Sequence, residues 1–157
     1  MAVQPIPEGY HSLTPYLAVE DASKAIEFYK DAFGADELVR MPGPDGKIAH
    51  AELQIGDSKL MLSDPFPQSD VRPPSERGGS TASIFMYVED VDATFAQAQR
   101  AGAEVVAELE DMFWGDRFGS LSDPFGHHWS IATHKEDLSE EEMAERSKAA
   151  MAEMAGS

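Results

Sequence analysis

Two side chains that can exchange protons lie close together in the chain. His50 and Glu52 are two residues apart in a stretch whose pattern predicts a strand over 47–55. Alternate residues of a strand point to the same face, so the imidazole and the carboxylate would be neighbours. They would then form an acid–base pair, or half of a metal site with imidazole and carboxylate ligands. A surface or rim pair is the favoured interpretation, because two residues alone do not define a site.

A guanidinium stands beside aromatic and small residues in the run Trp114-Gly-Asp116-Arg117. The planar guanidinium suits a carboxylate partner. That carboxylate belongs either to a ligand or to the chain itself, and an internal partner such as Asp116 or Asp123 is favoured.

The elements that would position these groups occur twice. Thr14-Pro-Tyr-Leu-Ala-Val-Glu-Asp opens one half, and Ser83-Ile-Phe-Met-Tyr-Val-Glu-Asp opens the other 69 residues later. Each opening predicts a strand and then a helix, over 22–33 and 91–101, followed by three strands. The predicted organisation is an irregular lead-in (1–11), a βαβββ module (12–63), a Pro/Gly-rich linker or lid (64–80), a second module (81–135) and an acidic C-terminal helix (136–157).

The helices must cover one face of each sheet, and the more apolar alternation, which includes Leu13, Leu17 and Val19, should face them. The opposite faces carry aromatic rings, hydroxyls and a thioether. A solvated face would carry more charge, so a ligand cavity is favoured. The predicted ligand-binding residues are Thr14, Tyr16, Met61, Ser83, Phe85, Tyr87, Trp114, Arg117 and Ser130.

Composition excludes several classes of partner. The 157 residues include 12 Lys and Arg against 29 Asp and Glu, a net charge of −17, which disfavours nucleic acid and anionic membranes. The chain has no cysteine and therefore no disulfide or thiolate metal site. No apolar run is long enough to span a bilayer, and the first residues do not resemble a leader peptide, so a cytoplasmic protein is predicted.

Two segments carry a resemblance to a known family. Val19-Glu-Asp-Ala-Ser-Lys-Ala-Ile-Glu-Phe-Tyr29 and Asp123-Pro-Phe-Gly-His-His-Trp129, with the paired modules, resemble the vicinal oxygen chelate superfamily of glyoxalase I, bleomycin-resistance proteins and extradiol dioxygenases. Within it the chain looks like the PhnB-like branch, as in Thr14-Pro-Tyr16 and Ala132-Thr-His134. The resemblance covers about 12–135 and implies an α+β fold. Two βαβββ modules would curl into a cup-like mixed sheet with helices outside, commonly in a homodimer.

The metal positions depart from that family. Metal-using members place His, Gln or Glu ligands on the first and last strands of each module. Here those positions hold Thr14, Met61, Ser83 and Ser130. Hydroxyls and a thioether do not form a divalent-metal ligand set. No cofactor is predicted, and a divalent metal would need a displaced site at His50, Glu52 or His128.

Two functions follow from the resemblance and these departures. The first is a metal-free, bleomycin-resistance-like protein that holds a small aromatic or cationic molecule in its cup. The second is a glyoxalase-type isomerase or lyase, with a displaced metal or with His50 and Glu52 as an acid–base pair. The empty ligand positions favour the first.

Overall fold

A computed structural model describes residues 2–156. The elements in chain order are β1 (Tyr16–Ala18), α1 (Ala22–Phe33), β2 (Asp36–Pro42), β3 (Ile48–Ile55), β4 (Ser58–Ser63), α2 (Pro74–Arg77), β5 (Ser83–Tyr87), α3 (Val91–Ala101), β6 (Glu104–Asp111), β7 (Asp116–Ser122), β8 (His128–His134) and α4 (Glu140–Ala155). The predicted α+β fold of two βαβββ modules with a C-terminal helix is confirmed.

Each module forms its own mixed four-stranded sheet. The strand orders are β1-β4-β3-β2 and β5-β8-β7-β6, and the first strand of each module pairs in parallel with the last. The two sheets are not hydrogen-bonded to each other. The modules are joined through α1 and α3, which pack together over one shared core.

The repeated Val-Glu-Asp sequence precedes α1 and α3, the long helix of each module. The Asp21 carboxylate accepts from the backbone N–H of Lys24, and the Asp90 carboxylate accepts from that of Ala93, both at 3.1 Å. These bonds satisfy N–H groups that have no partner within a helix. Gly34 ends α1 in the left-handed region, at a φ of 65°, which a glycine adopts at little cost.

The first strand is shorter than predicted. Only Tyr16–Ala18 pair with β4, and Leu13 is 89% exposed rather than directed at the helices. The prediction for Leu13 is therefore wrong, because the alternation of a strand places a side chain only where the backbone is paired. Leu17 and Val19 are buried as predicted.

The connection between the modules contains one helical turn, α2, within otherwise irregular chain. Pro73 and Pro74 are buried there. A Cβ on Gly126 would lie 2.8 Å from Pro74, so the connection packs tightly against the β7–β8 turn. Among the described residues no helix is long and apolar enough to cross a membrane.

Candidate functional site

The register of the first sheet decides which side chains share its open face. Tyr16 pairs with Met61, and Met61 pairs with Glu52, so these three lie abreast on β1, β4 and β3. Their neighbours Leu62 and Leu53 are fully buried under the helices. The open face of module 1 is therefore the one that carries Tyr16, Met61 and Glu52.

A chain of hydrogen bonds joins polar groups on this open face. His50 Nε2 lies 3.0 Å from Glu52 Oε1, and its Nδ1 lies 3.1 Å from the Tyr16 hydroxyl. The Tyr10 hydroxyl donates to Glu52 Oε2. The structure thus brings the predicted pair together with Tyr16 and adds Tyr10 from the lead-in, which the sequence did not indicate.

The network fixes the protonation of its acidic groups. The hydrogen bond from Tyr10, then that from His50, lowers the pKa of Glu52. The hydrogen bond to Glu52, then burial, raises the pKa of Tyr10 to about 12. At neutral pH the site therefore presents a carboxylate that accepts hydrogen bonds and a neutral phenol that donates one.

The open face of module 2 is a wall of aromatic rings. Phe85 and Tyr87 of β5 have ring centroids 5.0 Å apart and are 47% and 61% exposed. Phe118 of β7 stacks on Phe85 at 5.7 Å, and Trp114 meets Phe118 edge-on at 5.7 Å. Exposed, mutually packed rings of this kind offer flat apolar contact area to a ligand.

Buried Asp116 holds two side chains of that wall in place through hydrogen bonds. It is 3% exposed, and it accepts from the Tyr87 hydroxyl at 2.8 Å and from Trp114 Nε1 at 3.1 Å. His134 Nδ1 lies 2.8 Å from its other oxygen. Burial acts to raise the pKa of Asp116, but bonds from His134, Tyr87 and Trp114 outweigh it and lower the pKa. A charged Asp116 therefore fixes the orientation of two wall residues.

Gly115 makes the turn that presents Trp114. Its φ is 97°, in the region that disfavours side chains, and an added Cβ would lie 2.6 Å from the carbonyl oxygen of Glu136. The Gly115 carbonyl accepts from the backbone N–H groups of Lys135 and Glu136 at 2.9 and 3.0 Å. Only glycine allows this close approach of two backbone segments beneath the wall.

Arg117 lies on the other side of the sheet. Its Nε and Nη2 donate to Asp92 at 2.9 Å, and Nη1 donates to Asp111 at 3.3 Å. The partners are carboxylates of the chain itself, as favoured from the sequence, but they are Asp92 and Asp111 rather than Asp116 or Asp123. Adjacent residues of a strand point to opposite faces, so the side chain next to Asp116 cannot share its face.

The remaining predicted residues lie on the open faces or beside a cleft. Ser130 pairs between Phe85 and Ser120, in the middle of the module 2 face. Ser83 is exposed at the start of β5. Thr14 precedes β1 and lines a cleft of about 940 Å³ between the modules. The other lining residues include His11, Leu13, Phe33, Lys59, Phe85, Tyr87, Gln97 and Trp129.

The four positions expected to hold metal ligands do not form a metal site. Within residues 2–156, no group of three or more His, Asp or Glu side chains is placed to hold an ion. Thr14, Met61, Ser83 and Ser130 offer only hydroxyl and thioether groups, which do not fit a divalent metal.

Sequence reasoning missed four residues of these faces: Tyr10, Asp116 as a brace, Phe118 and His134. The alternation of side chains along β7 could have identified Phe118, because it places Phe118 on the same face as Asp116 and Ser120. No local signal marks Tyr10, whose partner Glu52 is 42 residues away.

Comparisons with known proteins agree with this architecture. Residues 10–131 match the model of the Glyoxalase/Bleomycin resistance protein/Dioxygenase superfamily. The Mycobacterium bovis protein Mb0911c is 47% identical over 135 residues, which are 84% of this chain and 89% of that protein. TioX from Micromonospora sp. ML1 is 30% identical with a TM-score of 0.63, covering 79% of this chain and 98% of its own.

A further neighbour has a stated role. TnmS3, an antibiotic binding protein from Streptomyces sp. CB03234, is 28% identical with a TM-score of 0.62, covering 86% of this chain and 99% of its own. The family match spans well over half of the chain, and the predicted resemblance is confirmed. The chain belongs to the Glyoxalase/Bleomycin resistance protein/Dioxygenase superfamily.

Proposed function

We propose that this protein binds a small aromatic or cationic molecule in a cup, without the metal used elsewhere in the family. The observation that supports the proposal is the aromatic wall, in which exposed Phe85 and Tyr87 pack with half-buried Phe118 and Trp114 and Asp116 holds Tyr87 and Trp114 in place. Ordered, exposed rings bind planar ligands by stacking and attract cations to their faces. The acidic net charge of −17 adds a long-range attraction for cations.

Family membership supports a ligand-binding role, and so does the likeness to the antibiotic binding protein TnmS3. The donor set supports a metal-free site. The positions expected to hold ligands carry neither imidazole nor carboxylate groups, so no step through a metal is assigned to them.

The cup is proposed to be completed by a second copy of the chain. The chain exposes 9916 Å², whereas a compact monomer of 17.1 kDa would expose about 7,800 Å². Residues 2–9 and α4, which has no buried residue, contribute to this excess, and so do exposed apolar residues on the open faces and edges such as Val39, Met41, Phe85 and Val106. A homodimer in which open faces oppose each other would cover them. Sedimentation equilibrium checks this, and a monomer at micromolar concentration would contradict it.

The test of ligand binding uses two fluorescent dyes. Ethidium is planar, aromatic and cationic, and anilinonaphthalene sulfonate is aromatic and anionic. We expect ethidium to bind more tightly, with an affinity unchanged by exhaustive chelation. Phe85→Ala and Phe118→Ala should each weaken binding by at least about fivefold, since an aromatic contact is worth roughly 1 kcal/mol beyond burial. Val71→Ala, an exposed apolar residue outside the faces, is the control.

Two outcomes would overturn the proposal. Loss of ethidium binding after chelation would show that a metal is required. Equal binding by Phe85→Ala, Phe118→Ala and the unaltered protein would show that the wall is not the site.

A second function is favoured by one observation, the hydrogen-bonded series Tyr16–His50–Glu52–Tyr10 on an open face. An imidazole held against a charged carboxylate is an arrangement used in general acid–base catalysis. On this alternative the protein is a glyoxalase-type isomerase or lyase. Turnover of an α-oxo thiohemiacetal that is abolished in both His50→Ala and Glu52→Gln would establish it, and ethidium binding by those variants would report an intact fold.

A further inference from the structure

One residue of the lead-in lies on the open face of module 1. Residues 2–9 are exposed, whereas the side chain of Tyr10 is partly buried. Its hydroxyl donates to Glu52, and its ring lies under the ammonium group of Lys59, with Nζ 5.6 Å from the ring centroid. A turn in which the Tyr10 N–H donates to the Pro7 carbonyl at 3.0 Å sets the approach of the segment.

The surrounding groups recognise the parts of a phenol separately. The Glu52 carboxylate accepts from the hydroxyl through one oxygen, while its other oxygen is held by His50 at 3.0 Å. The Lys59 ammonium contacts the ring face, and its position is fixed by a hydrogen bond to Gln54. A charged acceptor and a cation over the ring together favour a neutral aromatic donor.

Little else binds the lead-in to the module. Gly9 approaches Lys59, since an added Cβ would lie 3.5 Å from its Cε, but Val3 and Ile6 are 90% and 50% exposed. A short flexible tether gives its group an effective concentration on the order of millimolar. A free molecule of the same chemistry can therefore compete with Tyr10 for the same contacts.

We propose that Glu52, Lys59 and His50 form a phenol-binding site on module 1, that Tyr10 is its tethered occupant, and that a phenolic ligand displaces Tyr10. This inference rests on the proposed ligand-binding function and deepens it by naming the ligand class. The raised pKa of Tyr10 agrees with it, because a phenol in this site stays neutral and keeps its donor proton.

The experiment measures binding of p-cresol, the side chain of tyrosine as a free molecule, to the full chain by calorimetry. Tyr10→Ala empties the site, and we expect it to bind p-cresol at least tenfold more tightly than the unaltered protein. The gain should disappear in Tyr10→Ala/Glu52→Gln. Toluene, which has the ring without the hydroxyl, should show no dependence on Glu52.

Two further variants keep the test sharp. Tyr10→Phe retains the ring and loses only the donor, so it should gain p-cresol affinity to a smaller extent. Val3→Ala is the control, because it alters a residue of the same segment that is 90% exposed, and its affinity should equal that of the unaltered protein.

The proposal is overturned if neither Tyr10→Ala nor Tyr10→Phe binds p-cresol more tightly, or if Glu52→Gln leaves the gain intact. The ethidium titrations separate this failure from that of the cup. If ethidium binding depends on Phe85 but substitution of Tyr10 does not change the affinity for p-cresol, the proposed cup is supported and the phenol site is refuted. If substitution of Tyr10 raises the affinity for p-cresol but ethidium binding does not depend on Phe85, the phenol site is supported and the cup is refuted.

Discussion

Replacing Asp123 is expected to weaken the joint between the two modules. Asp123 follows β7 and is 5% exposed. One carboxylate oxygen accepts from the backbone N–H groups of Phe125 and His127, both at 2.9 Å. The other accepts from Trp129 Nε1 at 2.9 Å and, across the modules, from the Tyr29 hydroxyl at 2.6 Å.

The magnitude follows from the burial of those donors. Tyr29 and Trp129 are almost completely buried, so neither can turn to water once the carboxylate is gone. Each buried donor left without a partner costs about 1–3 kcal/mol. With these two donors left without a partner, Asp123→Ala should lower the free energy of unfolding by about 2–6 kcal/mol, a substantial part of the roughly 5–15 kcal/mol typical of a domain.

Urea unfolding followed by tryptophan fluorescence measures this loss, because Trp129 itself touches the joint. Asp57→Asn is the control, since Asp57 is exposed in a turn and accepts only from the neighbouring Ser58. Tyr29→Phe should cost about 1.5–3 kcal/mol in the unaltered protein and less in an Asp123→Asn background. The reasoning is refuted if Asp123→Ala unfolds at the same urea concentration as the control, or if Tyr29→Phe costs the same in both backgrounds.

Three further predictions concern single groups. Arg117→Ala should lower the midpoint of urea unfolding and leave ethidium affinity unchanged, because Arg117 pairs with Asp92 and Asp111 on the helix side of the sheet. Weaker ethidium binding by this variant would show that Arg117 belongs to the binding site. Hydrogen bonds from His134 to Asp116 and then to Asp137 raise the pKa of His134. The contribution of this pairing to the stability of the fold is therefore fully present below pH 6.5, and it is lost as the pH rises through the raised pKa of the folded protein. Proton NMR should show that raised midpoint and a lower one in Asp137→Asn, and equal midpoints would contradict the pairing. In a phenolate absorbance titration the difference between the unaltered protein and Tyr10→Phe should appear near pH 12, whereas a difference at pH 10 would mean that Tyr10 has no carboxylate partner.

The helices could be predicted from sequence because their signals are local. Asp21 with Gly34 and Asp90 with Gly102 mark the ends of α1 and α3, and the observed bounds equal the predicted ones. Alternation within a strand likewise indicated that Tyr16 and Met61, or Phe85 and Ser130, share a face. Only the register of distant strands shows that these pairs lie directly abreast.

Contacts made between segments could not be predicted in the same way. Arg117 pairs with Asp92, 25 residues away on α3, and with Asp111 on the neighbouring strand, rather than with Asp116 beside it in sequence. Tyr10 sits in a stretch whose proline and glycine residues indicate irregular chain, and irregular chain carries no alternation that would reveal its partner. Such contacts depend on how whole elements pack, which a periodic pattern does not encode.

The two modules hold their helices by equivalent bonds and differ on their open faces. The first N–H of α1 donates to Asp64 at 3.0 Å, and the first N–H of α3 donates to Thr133 at 2.9 Å, each acceptor lying at or just after the end of its module's last strand. These anchors fix each helix against its sheet from the buried side. The open faces carry no such bonds, so one could become polar around Glu52 and the other aromatic around Phe85 without loss of the fold. A ligand held between two such faces would meet a hydrogen-bonding surface on one side and a stacking surface on the other. The proposed phenol site therefore narrows the aromatic or cationic ligand of the proposed cup to an aromatic molecule with a hydroxyl group.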